Sequence, residues 1–142
     1  MKHLLILSLT VLALTACGNR NGKKTADTSA TETTVQAADP ATVYVYYFHG
    51  KQRCKTCIAV GNVSEKAIKD MYAGNPNVKF IEVQTEEEVN VPLVEQYEVT
   101  WNALIIAKGD DIVDITKQAF ATAIKNPGNL ADLIKTEVDR RL

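Results

Sequence analysis

The stretch Thr42–Phe48, reading TVYVYYF, limits what this chain can fold into more than any other. Every residue in it is β-branched or aromatic, so it forms a strand. The run is too continuously apolar to leave one face in water, so the strand is expected to be buried on both sides inside a covered sheet. Past Arg53, a second pattern takes over. Val60, Val63, Ala67 and Met71 recur at helical spacing, with Ile58, Ile68 and Tyr72 widening the stripe. Gly74-Asn75-Pro76 then ends that helix, with glycine just past its end and proline beyond.

The remaining elements follow the same logic. Val78–Val83 (VKFIEV) reads as a second strand, and Pro92–Tyr97 as a short helix with proline in its first turn. Leu104–Ala107 and Ile112–Ile115 flank Lys108-Gly109-Asp110-Asp111, a hairpin turn. Asn129 is expected to cap a last helix carrying Leu130, Leu133, Ile134, Val138 and Leu142. The predicted order is β-α-β-α-β-β-α, an α/β domain over Thr42–Leu142, with no internal repeat.

The residues before Thr42 serve another purpose. Met1–Ala16 has a basic start at Lys2, an apolar run from Leu4 to Leu14 and then small residues. This is a secretory signal peptide, because the run is too short to span a bilayer. Leu14-Thr15-Ala16-Cys17 resembles a bacterial lipobox, which implies cleavage before Cys17 and lipid attachment to its sulfur. The expected mature protein is anchored to the membrane by lipid, without a spanning helix. Residues 18–41 hold Val35 as their only large aliphatic residue and no aromatic. They cannot bury enough apolar surface to offset their ordering entropy, and so read as a flexible tether of roughly 25–30 Å. No acidic cluster follows Cys17, so the expected location is the periplasmic side of the cell envelope.

Cleavage before Cys17 would leave 15 Lys and Arg against 17 Asp and Glu, a net charge of −2. Such a balance gives no basic excess for nucleic acid. With Cys17 lipidated, Cys54 and Cys57 would be the only free thiols. In an oxidising compartment they would be each other's partner.

Three readings of Cys54-Lys55-Thr56-Cys57 compete: a metal clip, a structural staple and a redox pair. A staple this short closes little chain entropy and would stabilise far less than a long-range bridge. The redox reading has a physical basis in position. The attacking species is a thiolate, so the site must favour it over a free thiol of pKa about 8.5. At a helix start, Cys54 would face unpaired N–H groups and the positive end of the helix dipole. Lys51, Arg53 and Lys55 would add positive charge. Cys57, one turn in, would be the more buried, resolving thiol. For the metal reading, His49, Cys54 and Cys57 offer an N/S₂ set suited to Cu(I) or Zn²⁺, one ligand short of a closed zinc site. The simpler expectation for His49 is a strand-end histidine, packed or hydrogen-bonded, that tunes the thiol.

This element order, with Cys-x-x-Cys where the first strand hands over to the first helix, resembles the thioredoxin fold. The resemblance covers Thr42–Leu142, and Tyr97-Glu98-Val99 leading into the hairpin adds to it. It implies thiol–disulfide exchange with protein thiols and disulfides, no cofactor, and a membrane thiol-reductant as electron partner. The sequence departs from the family pattern in several places. Ala103 stands where the family carries a cis-proline opposite the cysteines, which makes metal binding more credible. Phe48 stands where it carries a buried acid, and Arg53 where it carries tryptophan. Lys55-Thr56 matches none of its familiar dipeptides. The chain is thus similar to a divergent member. Trp101, the only tryptophan, reads as a groove wall or core plug. Glu86-Glu87-Glu88 reads as a solvated charge run opening the short helix.

Overall fold

A computed structural model describes residues 38–142. The signal segment Met1–Ala16, the lipid-attachment residue Cys17 and the tether up to residue 37 lie outside the described residues. The described chain opens on a turn built by Asp39. Its carboxylate accepts from Ala41 N–H at 2.9 Å and its carbonyl from Thr42 N–H at 3.0 Å.

Eight regular elements follow: β1 Val43–His49, α1 Lys55–Met71, β2 Val78–Gln84, α2 Val91–Gln96, β3 Ala103–Lys108, β4 Asp111–Asp114, α3 Thr116–Thr122 and α4 Pro127–Asp139. The four strands form one mixed sheet in the order β2-β1-β3-β4. β1 runs parallel to β2, pairing Val43 with Val78 through His49 with Gln84, and antiparallel to β3. A parallel pair needs a long crossover, which α1 supplies. The result is the α/β, thioredoxin-like order expected, with one helix added.

β1 is central and buried on both faces, because successive side chains point to opposite sides. Val43, Val45 and Tyr47 enter the larger cluster with Val60, Ala67 and Ile68 of α1, Leu104 and Ile106 of β3, and Leu130, Ile134 and Val138 of α4. Tyr46 and Phe48 point the other way, toward Val83, Ala103 and Ile105, with Leu93 and Val94 of α2 packed on top. Val60, Ala67 and Ile68 of the expected α1 stripe are buried, but Ile58 is largely exposed. Gly61 and Ser64 are buried on the same helix, and Gly61 lies against Tyr47 of β1.

Two differences from the sequence reading concern the C-terminal third. The segment 116–122 forms α3, although no large apolar stripe marks it. Its buried contacts are Ala119 and the following Ala123, too small to register as a hydrophobic period. The last helix begins at Pro127, two residues before the expected Asn129 cap, with proline at N1 or N2. Proline's fixed φ and missing N–H suit that first turn. The hairpin turn is as expected, and Gly109 adopts φ +54°, a conformation for which glycine carries no Cβ penalty. After α2, Glu98 takes φ +51° while Val99 N–H bonds the Val94 carbonyl at 3.0 Å. That is a helix-ending motif usually given to glycine. Among the described residues no helix is long and apolar enough to cross a membrane.

Candidate active site

Cys54 is the N-cap of α1, in extended conformation with φ −76° and ψ 167°. Its Sγ accepts the N–H of Cys57 at 3.1 Å, the hydrogen bond that a Ser or Asp cap would make through oxygen. No acidic residue occupies the first turn of α1 to oppose the dipole. Cys54 is exposed and Cys57 is buried, 5 % accessible. The two sulfurs are bonded as a disulfide, with the Cα atoms 5.0 Å apart. One sulfur can therefore meet a bulky partner, and the other only its neighbour.

A polar group lies beneath α1, on the β1 face that carries Tyr47. The Tyr47 hydroxyl donates to the Cys57 carbonyl at 2.6 Å. Burial pushes that phenol above its ordinary pKa, with Arg53 working against the shift. The Arg53 guanidinium lies over the Tyr47 ring, 5.5 Å from its centroid, and pairs with Glu82 at 2.6 Å. The same Glu82 oxygen is 3.2 Å from His49 Nε2. Glu82 reaches this face because β1–β2 pairing sets it opposite Tyr47. Gly61 makes the arrangement possible. A Cβ there would lie 2.5 Å from Arg53 Nη2 and 2.9 Å from Tyr47 Cε1, so only glycine leaves room. Arg53 Nε is buried without a hydrogen-bond partner among the described residues.

The expected site residues thus separate. Arg53 turns inward and its charge is compensated by Glu82. Lys51 engages through its backbone, donating N–H to Glu86 at 3.2 Å. Lys55 is the exposed first residue of α1. His49 Nδ1 is 2.9 Å from the Gly50 carbonyl and Nε2 faces Glu82, so both ring nitrogens are directed at oxygen acceptors. Among the described residues no three His, Cys, Asp or Glu side chains converge as a metal site would require. Ala103 begins β3 opposite Phe48 and is buried in the cluster on the sheet face away from Tyr47. Phe48 shares that cluster, so the position beneath the cysteines belongs to Tyr47.

Above the disulfide lies a cavity of about 400 Å³, lined by Gln52, Trp101, Asn102, Thr116 and Phe120 together with the two cysteines. A second cavity of about 550 Å³ adjoins it across Gln52, Trp101 and Asn102, and extends to Lys51, Thr85 and Glu86. Trp101 is therefore a groove wall, not a core plug. Glu86 belongs to the site loop, while the turn before α2 begins only at Glu88. Tyr47, Glu82 and Gly61 were not singled out from the sequence. The available signal was the two-residue alternation of β1, which puts Tyr47 and His49 on one face.

No family model matches the chain, and no characterised protein sequence matches it. Solved structures do. One, titled "Structure of a malarial protein", is 22 % identical, with 68 % of this chain and 98 % of that chain covered and a TM-score of 0.47. Another is described as thioredoxin-2, a component of the malaria parasite protein secretion machinery. It is 24 % identical, with 67 % and 82 % covered and a TM-score of 0.48.

Proposed function

We propose that the chain is a thiol–disulfide oxidoreductase with Cys54 as nucleophile and Cys57 as resolving thiol. The observation that carries this reading is the asymmetry of the pair. An exposed cysteine caps a helix and its sulfur receives a backbone N–H, and it is bonded to a buried cysteine one turn on. In the reduced protein the Cys54 thiolate attacks a substrate disulfide. A bond forms between Cys54 and one substrate sulfur, and the other leaves as a thiolate that takes up a proton. Cys57, as thiolate, then attacks Cys54 Sγ, releasing the second substrate sulfur and closing the Cys54–Cys57 bond. Two electrons pass from the protein to the substrate. With a more oxidising partner the same steps run in reverse. The substrates are protein thiols and disulfides.

The wider setting belongs to the same proposal. Lipid on Cys17 would hold the domain at the membrane on the periplasmic side, within reach of a membrane thiol-reductant that restores the dithiol. Cys17→Ser should release the protein from the membrane or leave its signal segment uncleaved. Unchanged fractionation with normal processing would remove the anchor from the proposal.

Insulin reduction tests the chemistry. Reduced wild type should precipitate insulin chains in the presence of a dithiol regenerant, and Cys54→Ser should not. The competing reading is a thioredoxin-fold binding module or metal carrier holding Cu(I) or Zn²⁺ on the same cysteines. Tight stoichiometric metal binding by the reduced protein, without insulin reduction, would favour that reading instead.

A further inference from the structure

Trp101 is 79 % exposed, the largest exposure of any large apolar side chain among the described residues. Scattered exposed apolar residues are ordinary, but this one is not scattered. It lines both the cavity over the disulfide and the cavity beyond, so a chain leaving Cys54 along either cavity passes its indole. On the sulfur side its companions are Phe120, Thr116, Gln52 and Asn102, and none of them carries charge. Charged side chains, Lys51 and Glu86, line only the cavity beyond it.

We propose that Trp101 is the specificity-determining residue of the exchange site. Its indole packs against an apolar side chain next to the substrate cysteine, and so favours polypeptides with such neighbours over charged small disulfides. The inference rests on the redox reading above and narrows its substrate class. The occupant follows from the lining. A partner sulfur bonded to Cys54 brings its adjacent residues over the uncharged cavity. Glutathione would bring carboxylates and an ammonium group over that space and find no charged side chain lining it, so its charges gain no partner there. An aromatic or aliphatic neighbour has two aromatic rings to cover it. Trp101 acts through the residues flanking the sulfur, so its effect belongs in the ratio of kcat/KM between substrates and not in the reduction potential.

The sole tryptophan also supplies the readout. A peptide with serine in place of cysteine and phenylalanine beside it should shift the emission of the oxidised protein to the blue, saturably. Glutathione disulfide at equal concentration should not. In turnover, Trp101→Ala should lower kcat/KM for a phenylalanine-flanked peptide disulfide about tenfold relative to that for glutathione disulfide, while Trp101→Phe keeps most of the preference. An emission unmoved by the peptide, or a preference that survives Trp101→Ala intact, would overturn the assignment. A saturable shift in a protein that exchanges no disulfide would remove the redox reading and leave Trp101 as the anchor of a peptide-binding module.

Discussion

Two arginines sit at opposite ends of the sheet, and they are held in opposite ways. Arg141 lies at the β3–β4 hairpin end, with its side chain 1 % exposed. It donates to Asp111 and Glu137 carboxylates at 2.7 Å each, and to the carbonyls of the same two residues. Arg53 lies at the cysteine end with its side chain 26 % exposed. It has one carboxylate, shared with His49, and an Nε buried without a partner among the described residues. The first arginine has a partner at every nitrogen and fastens the end of α4 to the hairpin. The second lies against the Tyr47 ring, whose hydroxyl holds the carbonyl of Cys57. Buried ion pairs are weak evidence for net stability, but breaking one by removing a partner is costly. The difference therefore predicts that damage at Arg141 appears in stability alone, and damage around Arg53 appears in the chemistry as well.

The largest effect should come from Arg141→Met, which removes four hydrogen-bonded contacts from a buried site. Chemical denaturation should show a loss of about 2–3 kcal/mol, with the reduction potential unchanged. A moved potential would break the comparison. Next is Gly61→Ala. Helix propensity favours alanine by about 1 kcal/mol, but overpacking costs roughly 1–3 kcal/mol. The end of Arg53 can yield to the new methyl, whereas the Tyr47 ring is buried and cannot. A net loss of about 1 kcal/mol is expected, together with a changed rate of disulfide exchange. An alanine variant more stable than wild type would mean that the contact is looser than its geometry.

Tyr47→Phe should cost about 1 kcal/mol through the lost hydrogen bond to Cys57. Its potential should also move, and an unmoved potential would reduce Tyr47 to packing. Alkaline titration gives a further effect. Burial, the largest cause at each, pushes the Tyr46, Tyr47, Tyr72 and Tyr97 hydroxyls above their ordinary value. A raised folded pKa favours the neutral phenol, so this stability is complete below about pH 10 and declines as pH rises toward the folded values. Denaturation midpoints should fall above that pH, less steeply in Tyr47→Phe. A midpoint flat into strong alkali would contradict the burial of these hydroxyls.

The sheet was legible in the sequence because its elements carry strong periods. Thr42–Phe48 was readable as a doubly buried strand, and Val60, Ala67 and Ile68 as a helix face. α3 was not, because Ala119 and Ala123 bury too little to register as a stripe. The cysteines were legible by spacing and position. Their surroundings were not, since charge counted along the chain says nothing about direction. Lys51, Arg53 and Lys55 read as a positive cluster beside the thiol, yet Arg53 is paired to a carboxylate 29 residues away that only strand register brings near. Tyr47 was hidden among the three consecutive aromatic residues Tyr46, Tyr47 and Phe48, all buried, where only the side of the sheet shows which ring reaches Cys57.

The central claim is a division of labour between two sulfurs, and competitive alkylation tests it most directly. The fully reduced protein is treated with a substoichiometric alkylating agent at neutral pH, and the modified cysteine is identified by peptide mapping. The exposed, helix-capping position predicts label on Cys54, at least about tenfold over Cys57. Label found first on Cys57, or spread equally over both, would contradict the account.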